Sequence, residues 1–169
     1  GKTTTVVEVI QQAVQDGDKV LATAASNMAV DNMLDFLISQ GVSAVRVGHP
    51  ARVTPQLKEH TLDYFIQQHE KYQAAEELRD EAFDLQEQQE EYTHPSGKYR
   101  RGMSDEKILS LADDEESSRG VSEEKITEMA QWIQLQDEID DLFEQVDTLR
   151  DEAVEEILAD KQVICTTNS

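Results

Sequence analysis

The chain has 169 residues with 36 acidic and 15 basic side chains, a net charge of −21, and is 38% hydrophobic and 5% aromatic. That length supports one modest core with a satellite, and the low aromatic content suits solvated helices. No apolar run reaches the ~18 residues of a membrane span, and the single Cys165 excludes an intramolecular disulfide or a cysteine-rich metal site, so a cytoplasmic protein is expected.

Gly1-Lys2-Thr3 stands at the front of a helix expected over residues 3–16, where Val6, Val7, Val9, Ile10, Ala13 and Val14 share one stripe. Asp16-Gly17-Asp18 ends it. Lys19 to Ala24 is short, apolar and β-prone, and reads as a buried strand. Ser26-Asn27 offers capping oxygens to a second helix with Met28, Val30, Met33, Leu34, Leu37 and Ile38 at helical spacing. Gln40-Gly41 stops that helix, Val42 to Val47 reads as a second strand, and Gly48-His49-Pro50 follows as a loop. Helix, strand, helix, strand predicts a parallel sheet with crossover helices. Ligands of such sheets bind at the carboxyl ends of the strands, where Ala25-Ser26-Asn27 and Gly48-His49-Pro50 both fall.

From about Thr54 the periodicity turns helical. Tyr72, Ala75, Leu78, Ala82 and Leu85 repeat every three or four residues among Glu, Asp and Gln. A break at His94-Pro95-Ser96-Gly97 leads to Lys98, Arg100 and Arg101 around Tyr99. Ser104-Asp105-Glu106 caps a short helix, and Asp113 to Gly120 reads as a mobile polar loop. Ser122 opens a helix of about 38 residues, nearly 60 Å at ~1.5 Å each. Its seam runs Leu135, Ile139, Leu142, Val146, Leu149, Ala153 and Ile157, and the Tyr72–Leu85 stripe is its expected antiparallel partner. Gln162 to Cys165 then returns to a β pattern, and Thr166-Thr167-Asn168-Ser169 follows. No internal repeat stands out. The pattern is that of an α/β domain with a helical-hairpin insertion: core 1–53, insertion 54–161, returning strand 162–169.

Charge divides along the chain. Residues 1–66 hold five basic and seven acidic side chains, whereas the rest hold ten and 29. The acid belongs to the insertion, and it also fits a protein adapted to high salt, where the Debye length is about 3 Å at 1 M.

Gly1-Lys2-Thr3 matches the last three positions of the phosphate-loop pattern G-x-x-x-x-G-K-[ST], whose Lys reaches the phosphates and whose hydroxyl holds Mg²⁺. Its place before a helix strengthens the match, because anions bind at helix N-termini. "LATAASNMAVDNMLDFL" resembles motif Ia of superfamily 1B helicases, the group of the nonsense-mediated-decay and immunoglobulin mu-binding helicases. "VRVGHPARV" and "VICTTNS" are similar to the segments that follow it there, and the helical insertion resembles a subdomain of that group. The resemblance covers the whole chain and is most specific over its first 53 residues. It implies a partial RecA-like P-loop NTPase sheet cut from a first motor domain that couples ATP hydrolysis to movement on DNA or RNA. The chain alone is expected to hydrolyse ATP negligibly.

The resemblance also implies roles. Gly1, Lys2, Thr3 and Thr4 would bind ATP, with Lys2 and Thr3 catalytic and the Thr3 hydroxyl on Mg²⁺. Ser26 and Asn27 would contact the backbone of single-stranded DNA or RNA, Arg46, His49 and Arg52 would flank that track, and Thr166 and Thr167 would meet the next phosphate. Hydroxyls and amides bind phosphate oxygens without reading bases, as a translocating motor requires.

Other readings stand beside these. Ser26-Asn27 caps a helix, His49 satisfies a loop carbonyl, Arg46 and Arg52 are paired surface charges, and Thr166 and Thr167 are ordinary strand residues. The Lys98–Arg101 patch touches nucleic acid or the acidic helices. Asp151-Glu152-Ala153 imitates the family's Asp-Glu-Ala box but lies inside the long helix and reads as helix surface. The whole chain could instead be an acidic coiled-coil scaffold for a basic partner, or part of a coiled-coil chromosome-maintenance ATPase. Exposed sheet edges or the hairpin would favour self-association.

Overall fold

The structure is a computed structural model and describes residues 1–168; Ser169, the last residue of the expected returning segment, lies outside them. Two compact units result. One takes Gly1–Gln73 together with the chain from Leu149 onward, and the other is Ala74–Thr148. The expected insertion, 54–161, is therefore shared between them.

The first unit alternates as expected: α1 (Lys2–Gln15), β1 (Val20–Ala24), α2 (Asn27–Ser39) and β2 (Ala44–Arg46). Two 3₁₀ turns (Pro50–Arg52 and Pro55–His60) and α3 (Leu62–Gln68) follow. α4 (Glu70–Gln89) begins here, α7 (Glu123–Asp160) ends here, and β3 (Val163–Thr167) closes the described chain. The sheet is wholly parallel in the order β1-β3-β2, so the strand latest in sequence lies between the two early ones. The backbone N–H groups of Gln162 and Val163 both donate to Ser43 O, at 2.8 and 3.1 Å, and fix β3 beside the entry to β2.

Val7, Val30, Leu34, Leu37 and Val163 are fully buried in this unit's core. Each contributes about 2 kcal/mol of transfer free energy. The expected stripe of α1 is narrower than its sequence, since Val7 and Ile10 are buried while Val9 is 66% exposed. Strand β1 also departs from a buried strand, with Leu21 66% exposed. It is an edge strand, and that edge carries no further strand among the described residues.

The second unit holds most of α4 and α7 with α5 (Gly97–Arg100) and α6 (Asp105–Asp113). Within it α4 and α7 run antiparallel: the Phe83 and Phe143 rings meet edge to face at 5.8 Å, and Gln89 Nε2 donates to Trp132 O at 3.1 Å. Buried positions recur every seven residues, at Ala75, Ala82 and Gln89 on α4 and at Ile139 and Val146 on α7. Met103, Ile108, Leu111, Val121, Ile126, Met129 and Ile133 form a separate core.

That core is entered twice by one signature. Arg101-Gly102-Met103-Ser104-Asp105-Glu106-Lys107-Ile108 and Arg119-Gly120-Val121-Ser122-Glu123-Glu124-Lys125-Ile126 match almost position for position. In each copy the Arg has positive φ, the Gly follows with positive φ, the next apolar residue is buried, and the Ser hydroxyl caps a helix. Arg101 Nη1 donates to Arg119 O at 2.7 Å, and Arg119 Nη1 returns a bond to Arg101 O at 2.8 Å. A repeat is therefore present where none stood out, and the end of the loop expected to be mobile is tied into it. Ser118 and Val121 also exchange backbone hydrogen bonds.

Candidate nucleotide and nucleic-acid site

Parallel strands place their carboxyl ends along one edge. Ala24 is in register with Thr167, Arg46 with Cys165, and Val47 N donates to Cys165 O at 2.8 Å. Asn168 N donates to Ala24 O at 3.1 Å beyond the last strand pair. Ser26, His49, Thr166 and Thr167 therefore lie at or just past the ends of three adjacent strands.

Helix α1 runs into β1 through a tight turn, so its N-terminus comes back to the same edge. Lys2 and Thr3 line a cleft of about 160 Å³ with Val6, Thr23, Ala24, Ala29 and Met33. Gly1 is the N-cap of α1 without a side-chain cap bond, and Gly1, Lys2, Thr3 and Thr4 are all exposed. First-turn N–H groups lack helical acceptors, and with the Lys2 ammonium they suit an anion. For phosphate the donor set fits. For Mg²⁺ the cleft offers the hydroxyls of Thr3 and Thr23, and no carboxylate lines it among the described residues.

Ser26 caps α2, its Oγ accepting from Ala29 N at 3.2 Å. The capping reading is therefore real, and the Ser26 hydroxyl donates to no acceptor among the described residues. His49 Nδ1 accepts from Ala51 N at 3.1 Å and caps the Pro50–Arg52 turn. Arg52 is exposed in that turn and makes no ion pair among the described residues. Thr166 and Thr167 are half-buried at the end of β3.

Arg46 is placed differently from its neighbours. Its side chain is 1% exposed, with Nε 3.2 Å from Asp31 Oδ1 and Nη2 2.8 Å from Asn27 Oδ1, while Nη1 donates to Val47 O. The other Asp31 oxygen accepts from Thr54 N at 3.1 Å. A buried ion pair is tolerated when its remaining hydrogen-bonding capacity is met, as here. The pairing expected of Arg46 is present, but it is internal rather than a surface contact. Neither Asp31 nor Thr23 stood out in the sequence. Asp31 carried a usable signal, as a carboxylate on the buried face of α2 beside Val30 and Leu34.

Cys165 lies beneath this edge, free and buried, and burial pushes its thiol up to about 11 against the opposing pull of Arg46. It is an inert core residue rather than a nucleophile. The Lys98–Arg101 patch is largely absorbed within its own unit. Arg100 pairs with Asp105 at 2.6 Å, and Lys98 and Lys125 lie 5.2 and 5.5 Å from the Tyr99 ring centre. Asp151-Glu152-Ala153 lies inside α7, with Glu152 3.1 Å from Lys71 and Ala153 buried.

Residues 1–169 match a protein-family model described as an AAA domain. An uncharacterized ATP-dependent helicase of Methanocaldococcus jannaschii is 45% identical over the whole of this chain, which spans 26% of that relative's length. The DNA polymerase alpha-associated DNA helicase A of Schizosaccharomyces pombe is 52% identical over 37% of this chain and 10% of its own. The DNA-binding protein SMUBP-2 of Rattus norvegicus is 44% identical over 47% of this chain and 8% of its own. No described helix is long and apolar enough to cross a membrane.

Proposed function

The chain belongs to the AAA domain family, and on that premise we propose that it serves an ATP-dependent helicase of superfamily 1. In this reading the N-terminus of α1 holds ATP phosphates, with Lys2 as the cation, Thr3 supplying its hydroxyl to Mg²⁺, and Gly1 and Thr4 adding backbone donors. The neighbouring strand ends carry the sugar-phosphate backbone of single-stranded DNA or RNA. Ser26, Asn27 and Thr167 offer neutral donors, and His49 and Arg52 flank them. Bound ATP supplies the phosphoryl chemistry; this chain's own residues bind the phosphates and the strand.

The observation that carries the reading is the shared edge. The cleft bearing Lys2 and Thr3 is walled by Ala24 and Ala29, and the second of these is the residue whose N–H Ser26 caps. In this reading a nucleotide group and a nucleic-acid group meet across the end of one strand, an arrangement suited to coupling the two ligands. The segment 54–161 is then an insertion between core pieces 1–53 and 162–169.

Fluorescence anisotropy with a short labelled oligodeoxythymidylate tests the proposal. The chain binds weakly, and the Ser26→Ala/Asn27→Ala double variant loses most of that binding. Far-UV circular dichroism controls for the lost cap, which costs about 1 kcal/mol. Binding unchanged in the folded variant would instead favour an acidic scaffold.

A further inference from the structure

We infer that Arg46 and Asp31 are positioning residues for strand binding: they hold the Asn27 amide so that it presents N–H groups, and only N–H groups, to a phosphate oxygen. The inference rests on the nucleic-acid reading above, and it reassigns Arg46 from a flank of the track to a post behind it.

A guanidinium has five N–H donors and no acceptor. Because Arg46 Nη2 lies 2.8 Å from the Asn27 side chain, the atom facing it must be the carbonyl Oδ1. The usual ambiguity between the two ends of an amide is thereby removed. Among the described residues the Asn27 NH₂ group has no hydrogen-bond partner, and it is not among their buried unsatisfied atoms. It is left accessible at the first position of α2, next to the Ser26 hydroxyl, whose oxygen is already occupied by Ala29 N. Both side chains then show donors where a phosphate shows acceptors.

Arg46 cannot swing out to become a ligand without breaking this arrangement. Asp31 holds Nε, Val47 O holds Nη1, and Thr54 N holds the far oxygen of Asp31. Asn27 and Asp31 are one helical turn apart on α2, so both reach the same guanidinium at the end of β2. Gly48 completes the fit, since a Cβ there would stand 2.9 Å from Arg46 Nη1. One buried cation thus joins the helix that carries Asn27 to the loop that carries His49.

Asn27→Asp tests the inference in the intact chain. It keeps the shape, keeps an oxygen toward Arg46, and replaces the outward NH₂ with a second oxygen. Its melting temperature is expected to hold or rise, because the acceptor facing the Arg46 cation gains a negative charge. Its affinity for oligodeoxythymidylate is expected to fall at least about tenfold, further than that of Asn27→Ala, which loses a single hydrogen bond. Oligonucleotide affinity equal to the parent chain's would overturn the inference.

A salt titration separates the two roles of Arg46. The Asp31→Asn/Arg46→Gln variant removes the buried pair without leaving a lone charge. If Arg46 acts through Asn27, affinity falls while the slope of log K against log salt stays unchanged. A slope shallower by about 0.7, one phosphate contact on a single strand, would show that Arg46 is itself a ligand and overturn the inference. Should that variant misfold, Asn27→Asp still decides. The underlying reading has its own control in Arg52→Ala. Loss of binding there with none in Asn27→Asp defeats the positioning role alone, whereas no measurable binding by the parent chain defeats both.

Discussion

Gly48 shows how closely the backbone is fitted around the buried guanidinium. Its φ of +144° belongs to a region that side chains rarely adopt, and an added methyl would meet Arg46 Nη1. An arginine tip usually moves aside, but this one is held by Asp31, Asn27 and Val47 O. Gly48→Ala is therefore expected to lower stability by about 1–3 kcal/mol, read as a lower urea midpoint; an unchanged midpoint would show that Arg46 is held loosely. At this scale the sequence was informative about residue types and poor about partners. Gly48-His49-Pro50 is legible as a candidate loop because it follows a strand. Arg46 is legible as a residue type, yet its burial is hidden because the acid that neutralises it lies on another element, 15 positions earlier. Charge on a buried helical face is the signal that would have joined Asp31 to it.

At the level of elements, short apolar β-prone runs made the early strands readable, and the apolar spacing of α2 and α7 made those helices readable. Strand order was not readable. β3 slips between β1 and β2 through hydrogen bonds between backbone groups, which every sequence possesses. The Arg-Gly signature escaped because it is a pair of turns followed by caps, without a periodicity of three or four. Its geometry makes a sharp prediction. Gly120 has a φ of +73°, and a Cβ there would lie 2.7 Å from Arg101 Nη1, the atom that donates to Arg119 O. Gly120→Ala should therefore cost about 1–2 kcal/mol through backbone strain and the broken clasp. A thermal melt checks this, and an unaltered melting temperature would mean that the reciprocal arginine bonds contribute nothing.

Over the whole molecule, charge and chemistry are segregated. Residues 74–148 hold 23 acidic and seven basic side chains, a net of −16, while the remaining residues hold 13 and eight, a net of −5. A polyanion is repelled by the first group and tolerated by the second, so the strand ends and not the long helices are where it should settle. The excess of acid after residue 66 is legible in the sequence. Where the compact units divide was harder to see, because α4 and α7 each contribute to both and no break in helical periodicity marks the boundary.

The claim that three strand ends form the strand-binding edge is most directly tested by a ¹⁵N–¹H NMR titration of the chain with oligodeoxythymidylate. The account predicts shifts gathered at Ala24–Asn27, Val47–Arg52 and Thr166–Asn168, with the amides of 74–148 unmoved. Shifts centred on α4, α6 or α7, or none at the strand ends, would contradict it.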